Sequence, residues 1–263
     1  MRVAYFDCSG GISGVAALAA LIDAGADVES LSKELEFLGG SVPIMTTEDV
    51  VLGEFRVRRV TVEGGGESVG RRLADLEALL SGAELPDAAR GFALRVYARL
   101  ADLVALLSAG GLPDAGREFV LRVYGRLVEA EARVHGSNPE AVRFHEVGSL
   151  RSVVGVVGTA LALEQLGIDQ VAASPVPFGS GTVNTEHGRL AVPTPATLEL
   201  LRGVPVEPHG GPGELVTPTG AAILAAAGAS FGQIPAMTIE SVGYGTGDLR
   251  VAPIVLRVVV GSG

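Results

Sequence analysis

The sequence contains a single cysteine, Cys8, among its 263 residues. One thiol cannot form an internal disulfide, and this composition is typical of a protein from a reducing compartment. Histidine is also scarce, with four residues in total and none before position 135. We therefore expect a cytoplasmic protein in which any metal site made of imidazoles is confined to the second half of the chain.

Long uninterrupted apolar segments are missing as well. The apolar run from Val153 to Leu163 is too short to span a bilayer. The segment from Leu215 up to, but not including, Glu240 is uncharged, but Thr, Pro, Gly and Gln interrupt it, which predicts a buried helix followed by a loop. At the N-terminus, Arg2 and Asp7 bracket a short strand-like run, which does not match a signal peptide. The sequence thus predicts no membrane association.

Positive charge is in deficit, since the formal net charge is −10. This balance argues against nucleic acid or an anionic membrane surface as a partner. An anionic nucleotide would need a local pocket of backbone amides and a few arginines. Hydrophobic residues make up 48% of the chain and charged residues 19%, which is typical of a globular protein. The mean hydropathy of +0.40 is high for a soluble monomer, so we expect a homo-oligomer.

The N-terminal segment has the order strand, glycine loop, helix. Arg2–Cys8 is a predicted strand and Val15–Ala24 a predicted helix. Between them, Ser9, Gly10, Gly11, Ser13 and Gly14 could direct backbone N–H groups at a phosphate or carboxylate, which makes them candidate nucleotide-binding residues. The alternative is a tight turn that needs positive φ. Asp7 and Cys8 lie at the carboxyl end of the strand, where α/β proteins place ligands.

The remaining pattern predicts an α/β protein: a mixed sheet with flanking helices, in one domain spanning residues 1–263. Thr194 and Thr217 each precede proline, as N-caps do. The other predicted elements are helices Val28–Leu38, Ser149–Leu166, Ala196–Leu201 and Gly220–Ala227, strands within Val50–Val62 and Val171–Val192, and closing strands Met237–Tyr244 and Ile254–Val260.

An internal repeat predicts an added helical segment at residues 72–135. Asp75–Ala101 returns as Asp102–Val128, and each copy has a short helix, Leu-Pro-Asp and a longer helix. Two copies are too few for a solenoid. The second copy either adds a helical hairpin outside the core or displaces the segment containing His135.

Val134–Gly158 carries most of the chemistry that the residues suggest. It contains His135, His145 and Glu146, the last two just before an apolar helix. Imidazole beside carboxylate can bind a borderline metal ion or move a proton. The alternative is that His145 and Glu146 cap the helix and pair with each other. His187 lies in a predicted turn between strands, and we expect His209 to be solvated.

Several separated segments resemble the nickel-insertion family, the nickel chelatases that complete the nickel-pincer nucleotide cofactor of lactate racemase. They are VHG at 134–136, FHEVG at 144–148, FDCSGGISG at 6–14, SPVPFGSGTVNTEHGRLAVPTPATLELLRGVPV at 174–206, ELVTPTGAAIL at 214–224 and VGYGTG at 242–247.

The resemblance implies a lyase-type reaction in which nickel is inserted into a pyridinium-3,5-bisthiocarboxylic acid mononucleotide. It makes His145 and Glu146 the expected catalytic residues. The expected metal ligands are Asp7, Cys8, His135, His145, Glu146 and His187. A second divalent cation, held with a nucleotide, is a further expectation.

The sequence also departs from the family pattern. Three positions that are commonly acidic in the family are Val15, Arg151 and Gly155 here. The chain resembles only the N-terminal portion of full-length relatives, so a separate protein is expected to supply the C-terminal domain. Two alternatives therefore stay open: a non-catalytic metal- or nucleotide-binding scaffold of the same fold, and a hydrolase or transferase that uses His145 and Glu146 as a base.

Overall fold

The computed structural model describes residues 1–39, 45–62, 112–139, 142, 144, 146–247 and 254–263. The strands are β1 (Arg2–Asp7), β2 (Met45–Leu52), β3 (Phe55–Val62), β4 (Gln170–Ala173), β5 (Val176–Ser180), β6 (Thr182–Thr185), β7 (Gly188–Ala191), β8 (Val206–Pro212), β9 (Ser230–Phe231), β10 (Thr238–Thr246) and β11 (Val255–Ser262). The helices are α1 (Gly14–Asp23), α2 (Val28–Glu34), α3 (Glu36–Gly39), α4 (Asp114–His135), α5 (Leu150–Gln165), α6 (Pro195–Leu200) and α7 (Pro218–Ala226).

Seven strands form one mixed sheet in the order β2-β3-β10-β11-β1-β4-β9. β1 pairs in parallel with β4 and antiparallel with β11, with Phe6 opposite Val258. Ala4 and Phe6 are fully buried in the main core, whereas Val3 and Tyr5 belong to a smaller cluster. This alternation is what a strand with two covered faces requires. The predicted α/β fold with a mixed sheet and flanking helices is confirmed.

Helix α1 lies against the sheet, and it is apolar on all sides because α5 covers it as well. Its contact with β10 is very close. A Cβ atom added to Gly245 would lie 2.1 Å from the backbone nitrogen of Ala20. The glycines of the segment 242–247 therefore set how near α1 approaches the sheet.

Helix α4 packs against α5, α6 and α7 through a buried stripe that includes Phe119, Val123 and Tyr124. Tyr124 is only 1% exposed, so it is a core residue. The first copy of the repeat and the first part of the second lie outside the described residues. The duplication therefore stays a prediction.

Most predicted element boundaries agree with the structure to within a few residues. The strands predicted within Val50–Val62 form the β2–β3 hairpin, which begins earlier, at Met45. The helix predicted over Val28–Leu38 is interrupted at Leu35. In the part of the chain that the structure describes, none of the helices is both long enough and apolar enough to cross a membrane.

The two chain ends meet beside the central strands. Arg2 pairs with Ser262, and the amino group of Met1 donates a hydrogen bond to the carbonyl oxygen of Gly263 (3.4 Å). Asp7 lies at the other end of β1. Asp7, the first of the residues predicted to bind a ligand, therefore lies at the end of the sheet that is away from the termini.

Candidate functional site

Asp7, at the carboxyl end of β1, is already engaged by its neighbours. Its carboxylate accepts hydrogen bonds from the backbone N–H (3.1 Å) and hydroxyl (2.5 Å) of Ser9, and it pairs with Arg257. Burial alone would raise the pKa of Asp7, but these hydrogen bonds and the arginine outweigh it and hold the pKa below its ordinary value. Asp7 is ionised at neutral pH, and its contacts are structural ones.

Cys8 is fully buried. Its backbone N–H donates to Ser174 Oγ (2.9 Å), and its thiol lies 3.6 Å from the carbonyl oxygen of Phe6. Burial raises the pKa of the Cys8 thiol far above its ordinary value, and the negative charge of Asp7 adds to the effect. Because metals bind the thiolate, Cys8 in this conformation is a poor ligand.

The glycine loop uses much of its backbone to hold itself in place. Gly11 N–H donates to the carbonyl oxygen of Cys8 (2.7 Å), and Ile12 N–H donates to that of Leu215 (2.8 Å). Gly11 has a φ of +97°, and a Cβ there would lie 2.3 Å from the Leu215 oxygen. The turn that we weighed as the alternative therefore accounts for Gly10 and Gly11, while Ser13 and Gly14 begin α1.

His135 and His187 come together from distant segments. His135 is the last residue of α4, where Gly136 ends the helix in the left-handed conformation, and His187 occupies the turn between β6 and β7. Their ring centroids are 4.9 Å apart. His135 Nε2 also lies 3.3 Å from a carboxylate oxygen of Glu131, one helical turn earlier.

These two histidines line a cavity of about 310 Å³, called here the histidine cavity, which also contains Glu131, Thr194, Glu186 and Glu214. Within the described ranges, no group of three or more His, Cys, Asp or Glu side chains is arranged to hold a metal ion. His145 lies outside the described residues, as does the side chain of Glu146. Val147, which follows them in the sequence, lines the histidine cavity.

A second cavity, of about 280 Å³, lies where three helices begin. It is called here the helix-start cavity. Each N-cap hydroxyl accepts a hydrogen bond from its own first turn: Ser13 from Ala16 N–H (3.2 Å), Ser149 from Ser152 N–H (3.3 Å) and Thr217 from Gly220 N–H (3.1 Å). The capping signal of α7, Thr217 before proline, was visible in the sequence, but nothing there showed that the starts of α1, α5 and α7 meet.

The two cavities adjoin. Val147, Val183, Glu214 and Pro218 line both of them. Glu214 accepts a hydrogen bond from the hydroxyl of Thr194 (3.2 Å), which caps α6 without bonding to its backbone. Our sequence analysis did not single out Glu214, although it opens the segment ELVTPTG that leads into α7. The result is one continuous site with histidines on one side and helix N-termini on the other.

The family model described as nickel insertion protein matches residues 4–106 and 99–263 of this chain. The chain belongs to the nickel insertion protein family. The two matched segments overlap at residues 99–106, inside the predicted repeat.

Curated relatives agree with this assignment. A nickel insertion protein of Geotalea uraniireducens is 41% identical over 268 residues, which cover 100% of this chain and 61% of the relative. The pyridinium-3,5-bisthiocarboxylic acid mononucleotide nickel insertion protein of Desulfitobacterium hafniense is 39% identical over 264 residues, covering 100% of this chain and 59% of the relative. The chain thus spans about three fifths of the length of these relatives. No solved structure matches it.

The three positions at which the resemblance led us to expect acidic residues lie together. Val15 and Arg151 both line the helix-start cavity. Gly155 lies one turn further along α5, where a Cβ would come 2.9 Å from the backbone nitrogen of Val15. Positions that are scattered in the sequence therefore meet at one place in the fold.

Proposed function

We propose that this chain binds nickel and inserts it into a pyridinium-3,5-bisthiocarboxylic acid mononucleotide, the step that yields the nickel-pincer cofactor of lactate racemase. The observation that carries the proposal is the approach of His135 and His187, with ring centroids 4.9 Å apart at a cavity that adjoins the helix-start cavity. Family membership supports nickel as the metal, and the name of the Desulfitobacterium relative supports the mononucleotide as the substrate.

The chemistry of the two histidines suits nickel. Imidazole nitrogens are good ligands for Ni²⁺, and the affinity order of the first transition row ranks it above most competing ions. His135 Nε2 lies 3.3 Å from a Glu131 carboxylate oxygen, and the tautomer that carries its proton on Nε2 leaves the Nδ1 lone pair for a metal. In that tautomer Glu131 can orient the ring as outer carboxylates orient metal-binding histidines.

His145 and Glu146 are proposed to complete the nickel site and to handle protons during insertion. They directly precede Val147, which lines both cavities. Nickel is the cargo in this reaction: it leaves the imidazole nitrogens as the sulfur atoms of the substrate take their place. Thiocarboxylate sulfur is a softer ligand than imidazole, which favours this transfer. A second divalent cation, held with a nucleotide, belongs to the same proposal.

Calorimetry with Ni²⁺ on the purified chain tests the proposal. Wild type should bind the ion, and His135→Ala and His187→Ala should each weaken binding by about tenfold or more, since each removes one ligand. Glu131→Gln should weaken it less, because it removes only the orienting carboxylate. Glu129→Gln is the matched control, since Glu129 lies on the same helix and 53% of its side chain is exposed.

Equal nickel affinity in all these variants would remove the metal role from the histidine pair and would favour the scaffold alternative. Retained nickel binding without any transfer to the bis-thiocarboxylated mononucleotide would limit the function to nickel carriage. Cofactor formation is followed most directly by its absorbance spectrum and by activation of lactate racemase.

The cellular setting is part of the proposal as well. The single buried Cys8 fits a reducing cytoplasm. The apolar composition favours a homo-oligomer. Size-exclusion chromatography with light scattering measures the oligomeric state.

A further inference from the structure

Three helices direct the positive ends of their dipoles at the helix-start cavity. Each helix is long enough to develop such a dipole, with ten residues in α1, sixteen in α5 and nine in α7. The caps satisfy one N–H group per helix. Among the described residues, the backbone N–H groups of Gly14, Val15 and Thr219 make no hydrogen bond, and all three residues line the cavity. N–H groups of this kind bind anions.

Thr219 gives an independent indication of a ligand. It is only 6% exposed, and its hydroxyl has no hydrogen-bond partner in the part of the chain that the structure describes. Its γ-methyl faces Gly14, where a Cβ would lie 2.9 Å away, so its remaining surface opens on the cavity. An acceptor oxygen bound in the cavity would give this hydroxyl a hydrogen-bond partner.

The side-chain charges of the helix-start cavity favour an anion at one end. Among the lining residues that the structure describes, Arg151 is the one basic residue and Glu214 the one acidic residue. Glu214 also lines the histidine cavity, so it lies at the border between the two. Val15, on the first turn of α1, brings no negative charge. An anion is therefore favoured at the starts of α1 and α5, away from Glu214.

We infer that the helix-start cavity binds the phosphate monoester of a mononucleotide, with the first-turn N–H groups, the Thr219 hydroxyl and Arg151 as donors. This inference deepens the proposed function and rests on it for the identity of the nucleotide. The base and any metal then extend toward the histidine cavity, which shares a wall with the helix-start cavity. It also relocates anion binding from the turn at Gly11, whose N–H group is bonded to the carbonyl oxygen of Cys8, to the helix starts.

Calorimetry with inorganic phosphate and with nicotinamide mononucleotide tests this inference without any metal. Both should bind wild type, and nicotinamide riboside, which lacks the phosphate, should not. Arg151→Gln and Thr219→Val should each weaken binding by about tenfold, the effect of one hydrogen bond to a charged group. The matched controls are Arg126→Gln, with 57% of the Arg126 side chain exposed, and Thr46→Val on an exposed position of β2.

Failure to bind phosphate, or equal weakening by Arg151→Gln and Arg126→Gln, would overturn the phosphate site. Circular dichroism shows whether Thr219→Val folds, and Arg151→Gln keeps the test valid if it does not. The nickel titration separates the two proposals, because His135→Ala should lose nickel and keep phosphate. Nickel binding without phosphate binding refutes this inference alone, and the reverse result refutes the proposed function alone.

Discussion

Gly155 of α5 lies directly against Gly14 of α1. A Cβ atom built on Gly155 would come 2.7 Å from the carbonyl carbon of Gly14, closer than real Cβ contacts. The atoms in the way belong to the backbone of α1 and not to the end of a flexible side chain, so a methyl group on residue 155 would force the two helices apart. This one contact fixes the distance between the starts of two helices that line the helix-start cavity.

Gly155→Ala should therefore lower the free energy of unfolding by about 1–3 kcal/mol, the usual effect of forcing a methyl group into a packed interface. Gly125→Ala is the matched control, because Gly125 is also inside a helix but has open space around it. That substitution should stabilise the protein by about 0.5–1 kcal/mol through helix propensity. Urea unfolding measures both, and a neutral Gly155→Ala would show that the helices are not locked at this distance.

Glu214→Gln should change the two ligand affinities in opposite directions. Glu214 borders both cavities, so removing its charge should tighten phosphate binding and weaken nickel binding, each by about threefold at low salt. Raising the salt concentration should shrink both effects. Paired titrations with phosphate and Ni²⁺ measure both affinities. If both affinities rise or both fall, the charge of Glu214 does not act on the two ligands as predicted.

Asp7 should stabilise the fold in a pH-dependent way. Its folded-state pKa lies below the ordinary value of 3.8, so the ionised carboxylate favours the folded state above that pH. This contribution is lost as the pH falls through the folded-state pKa. Asp7→Asn should therefore lower the free energy of unfolding by about 1–3 kcal/mol at neutral pH, and the difference from wild type should shrink below about pH 4.

Denaturant unfolding at a series of pH values gives this profile. Asp114→Asn is a suitable control, because 89% of the Asp114 side chain is exposed. A difference between Asp7→Asn and wild type that does not change with pH would mean that the ionised form of Asp7 contributes nothing to the fold.

Cys8 should be chemically silent while the protein is folded. Because it is fully buried and its pKa is raised, a thiol reagent should react only when the chain unfolds. Cys8→Ala should leave nickel affinity unchanged, although it should cost about 1–2 kcal/mol of stability through the cavity that it creates. Fast labelling of the native protein would show that the Cys8 thiol is accessible. Weaker nickel binding by Cys8→Ala would show that Cys8 is part of the metal site.

Local sequence signals predicted the elements well because their causes are local. A threonine followed by proline predicts a helix start independently of the rest of the chain, as at Thr194-Pro195 and Thr217-Pro218. The mixed sheet followed from the strand-like patterns. The order of the strands did not follow from these patterns. Strand β3 pairs with β10, which lies near the other end of the chain, and this pairing depends on how the whole core assembles.

The site was predictable only in its parts. His135 and His187 were both candidates from the sequence, but their approach depends on where α4 ends relative to the β6–β7 hairpin. Thr217 was predicted to be an N-cap from the proline that follows it. In the structure Thr217 forms the cap, and the hydroxyl of Thr219 is left facing the cavity. Glu214 carried no signal of its own, since one carboxylate in a loop usually faces solvent.

The pairing of the two chain ends has a practical consequence for immobilised assays. Met1 and Gly263 lie together, and Asp7 lies one strand length away, roughly 20 Å for a strand of about six residues. A tag on either terminus is therefore attached at the end of the sheet opposite the two cavities. Chips that capture the protein through such a tag should leave both cavities open to the flowing solution, whichever terminus is tethered.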